Sequence, residues 1–273
     1  MSHDPRFLAS AIDIVLRAGD IQMRHFGRDF RVEKKGAIDL VTEVDLEVER
    51  MCRSVLATRF PSHLVLAEEL GATQATVSME GCCWIFDPID GTTNFAHGLP
   101  VFCSALALEV DGSIEIAAVY DPTRRELFTA ERGRGAWLNG RRMAVSTVSA
   151  LLDAVVVTGF PYDVHDHGDD IVSLFGAFVK RAQAVRRFGS AAIDLCYVAA
   201  GRLDGFWEER LRPWDIAAAT LLVEEAGGQV TGMDGSPFSV HRGHVLATNG
   251  PLHEHMLATI TGHRSGRTGS LTD

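Results

Sequence analysis

What the chain lacks narrows its chemistry before any motif is read. No apolar run approaches the ~18 residues that a membrane-spanning helix needs, and the opening Met1-Ser2-His3-Asp4-Pro5-Arg6 lacks the pattern of a secretory leader. The five cysteines, Cys52, Cys82, Cys83, Cys103 and Cys196, are odd in number and show no C-x-x-C spacing. A reducing, cytoplasmic setting is therefore expected over secretion. There is no G-x-S-x-G elbow, no Gly-Lys pair of a P-loop and no G-x-G-x-x-G, which removes the usual serine-hydrolase, triphosphatase and dinucleotide readings. Positive charge is in deficit: 26 Lys plus Arg stand against 36 Asp plus Glu, a formal net of -10. That balance argues against nonspecific binding to nucleic acid or to an anionic membrane. No internal repeat or low-complexity linker divides the 273 residues, a length that suits one large domain or two halves sharing a sheet.

What is present is concentrated in Trp84-Ile85-Phe86-Asp87-Pro88-Ile89-Asp90-Gly91-Thr92-Thr93-Asn94-Phe95. An apolar strand runs into two carboxylates, a glycine and two hydroxyls. That composition suits a metal and a phosphate better than a core. Asp87 falls at the strand's C-terminal end, where ligands collect in α/β sheets, and Pro88 stiffens the turn that brings Asp90 back beside it. Two carboxylates that close repel each other unless a cation lies between them. Gly91 permits close backbone approach, and the Gly91 and Thr92 N–H groups suit an anion if a helix starts there. The plainer alternative is two ordinary turns, Asp87-Pro88 and Asp90-Gly91. Against it stand Glu68, which follows the apolar run Leu64-Val65-Leu66-Ala67, and Asp215, which follows Arg212-Pro213-Trp214. Glu68, Asp87, Asp90 and Asp215 together form an oxygen set for Mg²⁺.

The rest of the pattern is mixed α and β. Leu8, Ala11, Ile12, Val15 and Ala18 mark a first helix that Gly27 closes, and Val44, Val48, Met51 and Val55 mark a second that ends before Phe60-Pro61. Thr42 and Asp45 are spaced as a capping box, one reading of Asp45. From Val101 to Ala144, Asp111-Gly112, Asp121-Pro122 and Asn139-Gly140 separate apolar runs at hairpin spacing, an antiparallel meander. Ala154-Val157 and Leu203-Trp207 read as strands, Asp215 to Ala226 as a buried helix stopped by Gly227-Gly228, and Ser265 to Asp273 as a frayed tail. His165-Asp166-His167 and His253-Glu254-His255 lie in polar stretches without a third ligand and read as solvated surface. Arg124, Arg125, Arg132, Arg134, Arg141 and Arg142 form either the wet face of the meander or a docking place for an acidic partner such as RNA.

The Asp87-to-Phe95 segment, with Trp214-Asp215-Ile216-Ala217-Ala218-Ala219, Glu225-Ala226-Gly227-Gly228 and Asp39-Leu40-Val41-Thr42-Glu43-Val44-Asp45, resembles the signatures of the inositol monophosphatase family over about residues 5 to 260. One departure is Ala67, where the family usually has glycine. The resemblance implies a layered α-β-α-β-α sandwich, with an N-terminal half over 1–150 carrying most metal ligands and a C-terminal half over 151–273 carrying Asp215 and substrate contacts. It also implies a homodimer. The activity implied is that of a Mg²⁺-dependent phosphomonoesterase with two or three ions and lithium sensitivity. One metal would be held by Glu68, Asp87 and the Ile89 carbonyl, another by Asp87, Asp90 and Asp215. Thr92, oriented by Asp45, would aim the attacking water, with Glu68 also in the catalytic set.

Substrate contacts are expected from Asp90, Gly91, Thr92, Gly189, Ser190, Ala191, Glu208 and Asp215. The small residues Gly189-Ser190-Ala191 leave room for a cyclohexane ring, whereas a second-phosphate site would want clustered Arg or Lys. Arg186 and Arg187 are adjacent on a strand, so at most one reaches in. Inositol 1-phosphate is the expected substrate. Histidinol phosphate, fructose 1,6-bisphosphate and phosphoadenosine phosphate are the family's other choices. A regulatory binding module of nucleic-acid machinery is the competing class, disfavoured because a chain released from catalysis has no need for four converging negative charges.

Overall fold

The computed structural model describes residues 4–36, 38–72 and 81–268. Its helices are α1 Arg6–His25, α2 Glu43–Arg59, α3 Thr92–Ala96, α4 Val164–His167, α5 Asp169–Val179, α6 Ala191–Ala199, α7 Pro213–Glu225 and α8 His253–Thr268. Its strands are β1 Val32–Lys34, β2 Leu40–Thr42, β3 Leu64–Ala67, β4 Gly71–Ala72, β5 Cys82–Asp90, β6 Cys103–Val110, β7 Ser113–Asp121, β8 Glu126–Glu131, β9 Gly135–Leu138, β10 Arg141–Arg142, β11 Val155–Thr158, β12 Ala184–Arg186, β13 Gly205–Glu209, β14 Gln229–Thr231 and β15 His244–Thr248.

Helix α1 forms because Ala11, Ile14, Val15, Ala18 and Ile21 recur at helical spacing and bury one stripe. Gly27, in the left-handed region just past its end, turns the chain away. Helix α2 starts at a complete capping box: the Thr42 side chain accepts from the Asp45 N–H while Asp45 Oδ2 accepts from the Thr42 N–H. The meander from β6 to β10 is antiparallel, and two of its turns carry positive φ at both central residues, Asp111-Gly112 and Asn139-Gly140, as two-residue hairpins require.

Eight strands form a large sheet in the order β10-β9-β8-β7-β6-β5-β3-β4, and five form a smaller one in the order β12-β11-β13-β15-β14. Alternation along β5 sends Phe86 to one face and Ile85 to the other. Phe86 packs with α1 and α2 in one core. Ile85 packs with α6 and α7 in a second core, whose other wall is Val157, Phe206 and Val245 of the small sheet. Beyond the small sheet, Val156, Trp207 and Leu246 meet Leu174 and Phe178 of α5 and Met256 and Ile260 of α8. The order of layers is thus α-β-α-β-α. Helices α6 and α7 are covered on both sides, which explains why their sequences are apolar nearly all round.

Three expectations change. His253 is buried, its ring 3.0 Å from the hydroxyls of both Thr231 and Thr248, so it braces β14 and β15 and is not solvated surface. Ser265 to Thr268 continue α8, and residues 269–273 lie outside the described residues. Much of the basic cluster is neutralised: Arg124 pairs with Asp121, Arg132 with Glu115 and Glu224, and Arg134 with Glu131.

Candidate active site

The site starts at a break in β5. Its ladder with β6 runs to the Asp87–Ala105 pair and resumes, with the register shifted, at Asp90–Cys103. Pro88 has no N–H to give the ladder, so the strand bulges there. The freed Pro88 carbonyl accepts from Gln22 Nε2 at 2.8 Å and Ser104 Oγ at 2.7 Å, both buried, which fixes the bulge from α1 and β6. Gly91 follows with φ 98°, and a Cβ there would stand 2.8 Å from the Val101 carbonyl oxygen. Only glycine fits. Helix α3 then begins, and Thr92 Oγ1 lies 2.9 Å from the Ile89 carbonyl oxygen and 3.3 Å from Asp45 Oδ1. Asp45 therefore holds both positions considered for it, capping α2 with one oxygen and meeting Thr92 with the other.

Glu68 is presented by the loop after β3. Glu49, buried on α2, accepts from the Glu69 N–H at 2.8 Å and the Leu70 N–H at 3.0 Å, and Arg53 holds Glu49 in turn. Ala67 stays within the strand, paired with Phe86 and Gly71. Lys35 Nζ lies 2.8 Å from Glu68 Oε1 and 2.6 Å from Glu69 Oε1.

From the other side come α6 and α7. Asp215 is not a helix N-cap: Arg212 holds that position, Pro213 opens the helix, and Asp215 Oδ2 accepts from the Arg212 N–H at 2.6 Å. Ser190 caps α6, and its hydroxyl donates to Asp90 Oδ2 at 2.6 Å, as does the Ala192 N–H. These donors at the start of α6 orient Asp90, so they are not free for ring hydroxyls. Asn94 ties the two sides together, its Nδ2 donating to the carbonyls of Val101 and Phe188 at 2.8 Å each.

Lys35 offsets Glu68, but Asp87, Asp90 and Asp215 have no ion-pair partner among the described residues. Asp87 is buried, and its Oδ1 has no hydrogen-bond partner. Burial, then the charges of Glu68, Asp90 and Asp215, push its pKa well above the carboxylate range. Burial likewise raises Glu68 and Asp215, and lifts Asp90 to about 6 against the hydrogen bonds from Ser190 and Ala192. Asp45 is pushed up to about 7, again by burial first. Among the described residues no three of these side chains stand close enough together to hold an ion as they are; Glu68, Asp90, Asp215 and Asp45 each turn an oxygen to a local donor, Lys35, Ser190, the Arg212 N–H and the Thr42 N–H respectively. The donor set still fits a hard divalent cation: carboxylates from separate elements, all oxygen, with one buried oxygen unsatisfied. The Ile89 carbonyl fits less simply, since it already accepts from Thr92.

All the expected residues except Asp45, which sits behind Thr92, line one cleft of about 880 Å³. Glu208 is buried in its wall, raised to about 8 by burial and the charge of Asp90, and a Cβ at Gly159 would overlap its carboxylate. Arg187 lines the cleft, whereas Arg186 is exposed and outside it. Gln22, Glu49, Ser104 and Asp194 were not found from sequence, and Asn94, though inside the signature segment, was given no role there. Each acts across a long separation or sits alone in an apolar run, so no local pattern marks it.

A profile of the inositol monophosphatase family matches residues 4–265. The chain belongs to that family. An inositol-1-monophosphatase of Synechocystis sp. is 43% identical over 251 residues, covering 92% of this chain and 87% of that protein. A relative from Pseudomonas aeruginosa named Nus factor SuhB is 42% identical over 260 residues, covering 92% and 96%. Among solved structures, the extragenic suppressor protein suhB of Bartonella henselae superposes with a TM-score of 0.89 at 37% identity, covering 93% of this chain and 98% of that one. The family is one of metal-dependent phosphatases; of the segments that resemble its signatures, Asp87 to Asn94, Trp214-Asp215 and Asp39 reach the cleft, whereas Glu225 binds the Gly133 and Gly135 N–H groups away from it. No helix among the described residues is long and apolar enough to cross a membrane.

Proposed function

We propose that the chain is a Mg²⁺-dependent phosphomonoesterase whose preferred substrate is inositol 1-phosphate. The observation that carries this reading is the unpartnered, buried Asp87 Oδ1 at the centre of four like charges, an arrangement that a divalent cation relieves. Glu68, Asp87, Asp90 and Asp215 would hold two or three ions. Bound there, the cation supplies charge neutralisation for phosphate oxygens and acidifies water. Asp45 and Thr92 set the line of attack: with its proton toward Asp45 or the Ile89 carbonyl, the Thr92 oxygen accepts from the attacking water and aims it at phosphorus. Asp87 and Asp90 are committed to the cation, so neither acts as a nucleophile, and direct displacement with inversion follows. Glu208 accepts a hydrogen bond from the leaving alcohol. Sensitivity to lithium, a homodimeric state and a cytoplasmic location belong to the same reading. The cytoplasmic location is supported by the absence of any disulfide among the described cysteines.

The test is phosphate release from inositol 1-phosphate, histidinol phosphate and fructose 1,6-bisphosphate, with Mg²⁺ and with EDTA. If either competitor exceeds inositol 1-phosphate in kcat/KM by about tenfold, about 1.4 kcal/mol of transition-state preference, the substrate assignment is wrong. If none of these, nor phosphoadenosine phosphate, is turned over with Mg²⁺, the phosphatase reading falls.

The name Nus factor carried by the Pseudomonas aeruginosa relative favours a second reading, a regulatory binding module of nucleic-acid machinery. Its surface would be the arginines of the meander, several of which are already ion-paired. An Arg124/Arg134/Arg141 triple alanine variant that loses RNA binding while keeping turnover would support it.

A further inference from the structure

Asp194 stands on α6, four residues after the Ser190 cap, between Ile193 and Leu195 of the central core. It is 1% exposed, it lines the same cleft as the metal-ligand candidates, and its Oδ1 has no hydrogen-bond partner. The helix start cannot satisfy it. The Ala192 N–H goes to Asp90, the Ile193 N–H to Ser190 Oγ and the Asp194 N–H to the Ser190 carbonyl. A carboxyl placed in a core with an unused oxygen is destabilising unless something outside the chain completes it.

Its surroundings define that something. Burial raises Asp194 most, and the strongest neighbouring charge is Glu208, followed by Asp90, with Arg187 acting in the opposite sense. Arg187 lines the cleft too, its guanidinium 5.3 Å from the Phe160 ring centroid. Two carboxyls and one guanidinium offer acceptors and donors together. A second phosphate would pair with the guanidinium and leave the two carboxyls without a partner, and an ammonium would pair with the carboxyls and leave the guanidinium without one. A neutral group with several hydroxyls, each able to donate and accept, matches both.

We propose that Asp194, with Glu208 and Arg187, forms a specificity wall that pairs with hydroxyls of a neutral polyol leaving group. Asp194 is then a specificity residue that touches substrate away from the phosphate. This rests on the phosphatase reading above, and it concerns the alcohol, whereas the metal cluster concerns the phosphate.

Two substrates separate the roles. Inositol 1-phosphate carries ring hydroxyls, and p-nitrophenyl phosphate has none. Asp194→Ala is expected to lower kcat/KM for inositol 1-phosphate about tenfold, the scale of one lost hydrogen bond, and to leave p-nitrophenyl phosphate within about twofold. Asp194→Asn, which keeps an acceptor oxygen at the same place, is expected to recover most of the loss and guards against misfolding of the alanine variant. A readout without turnover accompanies these: free myo-inositol is expected to raise the melting temperature of the wild type and not of Asp194→Ala. Equal losses on both substrates would overturn the proposal in favour of a packing role, with the phosphatase reading intact. Wild-type turnover of p-nitrophenyl phosphate alone would also overturn it. No turnover of either substrate with Mg²⁺ would overturn both readings.

Discussion

Asp87 is buried, unpartnered at one oxygen and faces three other carboxylates. Replacing it with asparagine removes a charge and keeps the shape. The expected outcome is a loss in kcat of at least about a hundredfold, the order for a central electrostatic stabiliser, together with a metal-free protein no less stable than the wild type. Near-normal turnover in a folded Asp87→Asn protein would remove Asp87 from the metal set. Asp87, Asp90, Gly91 and Thr92 were legible in sequence because one contiguous string holds them. Gln22 was not: it reaches the Pro88 carbonyl across 66 positions, and a glutamine within an apolar helix stripe carries no local sign of its partner. Ser190 was read as lining the substrate pocket because its neighbours are small, and it does line the cleft. Its bond to Asp90 depends on how α6 meets β5, which residue size does not encode.

At the scale of elements, helix α2 shows how a fold device and a site device share atoms. Thr42 caps the helix through its hydroxyl, which also donates to Asp45 Oδ2 at 2.5 Å, and the other Asp45 oxygen meets Thr92. Thr42→Ala is expected to cost about 1 kcal/mol of stability, the usual worth of an N-cap, and to lower kcat as well, because Asp45 loses its anchor. Chemical denaturation and steady-state kinetics on the same variant check both. A stability loss with unchanged kcat would mean that Asp45 needs no anchoring to orient Thr92. Elements with strong period or turn chemistry were legible: α1, α2, the hairpins at Asp111-Gly112 and Asn139-Gly140, and α7. The short strands β1, β2, β12 and β14 were not, since three residues show no usable period and their pairing is set by distant partners. His253 was misread for the same reason, its two threonine partners lying on β14 and β15.

For the whole molecule, the buried acids tie stability to pH and to metal. Burial holds Asp90 at about 6, Glu69 at about 7 and Glu208 at about 8, above the ordinary values of 3.8 for Asp and 4.5 for Glu. The folded chain therefore keeps protons that the unfolded chain has released. The stability these groups contribute is full below about pH 4 and is lost as pH climbs through 6 to 8. A cation that binds only the folded chain adds stability by mass action, and competes best once those protons are gone. Thermal protection by Mg²⁺ should accordingly be larger at about pH 8 than at about pH 5. Melting curves in EDTA and in Mg²⁺ at both pH values test this. Equal protection at the two would break the link between the acids and the ion.

The bond from Ser190 to Asp90 spans 100 residues of chain. During synthesis Asp87 and Asp90 emerge long before the segments that orient them, so the nascent polypeptide carries its acids apart and exposed to water. Closing so long a loop is slow relative to forming a hairpin. The aiming of Asp90 therefore waits on the start of α6, and a molecule truncated before Ser190 keeps the acids of β5 without the groups that orient Asp90.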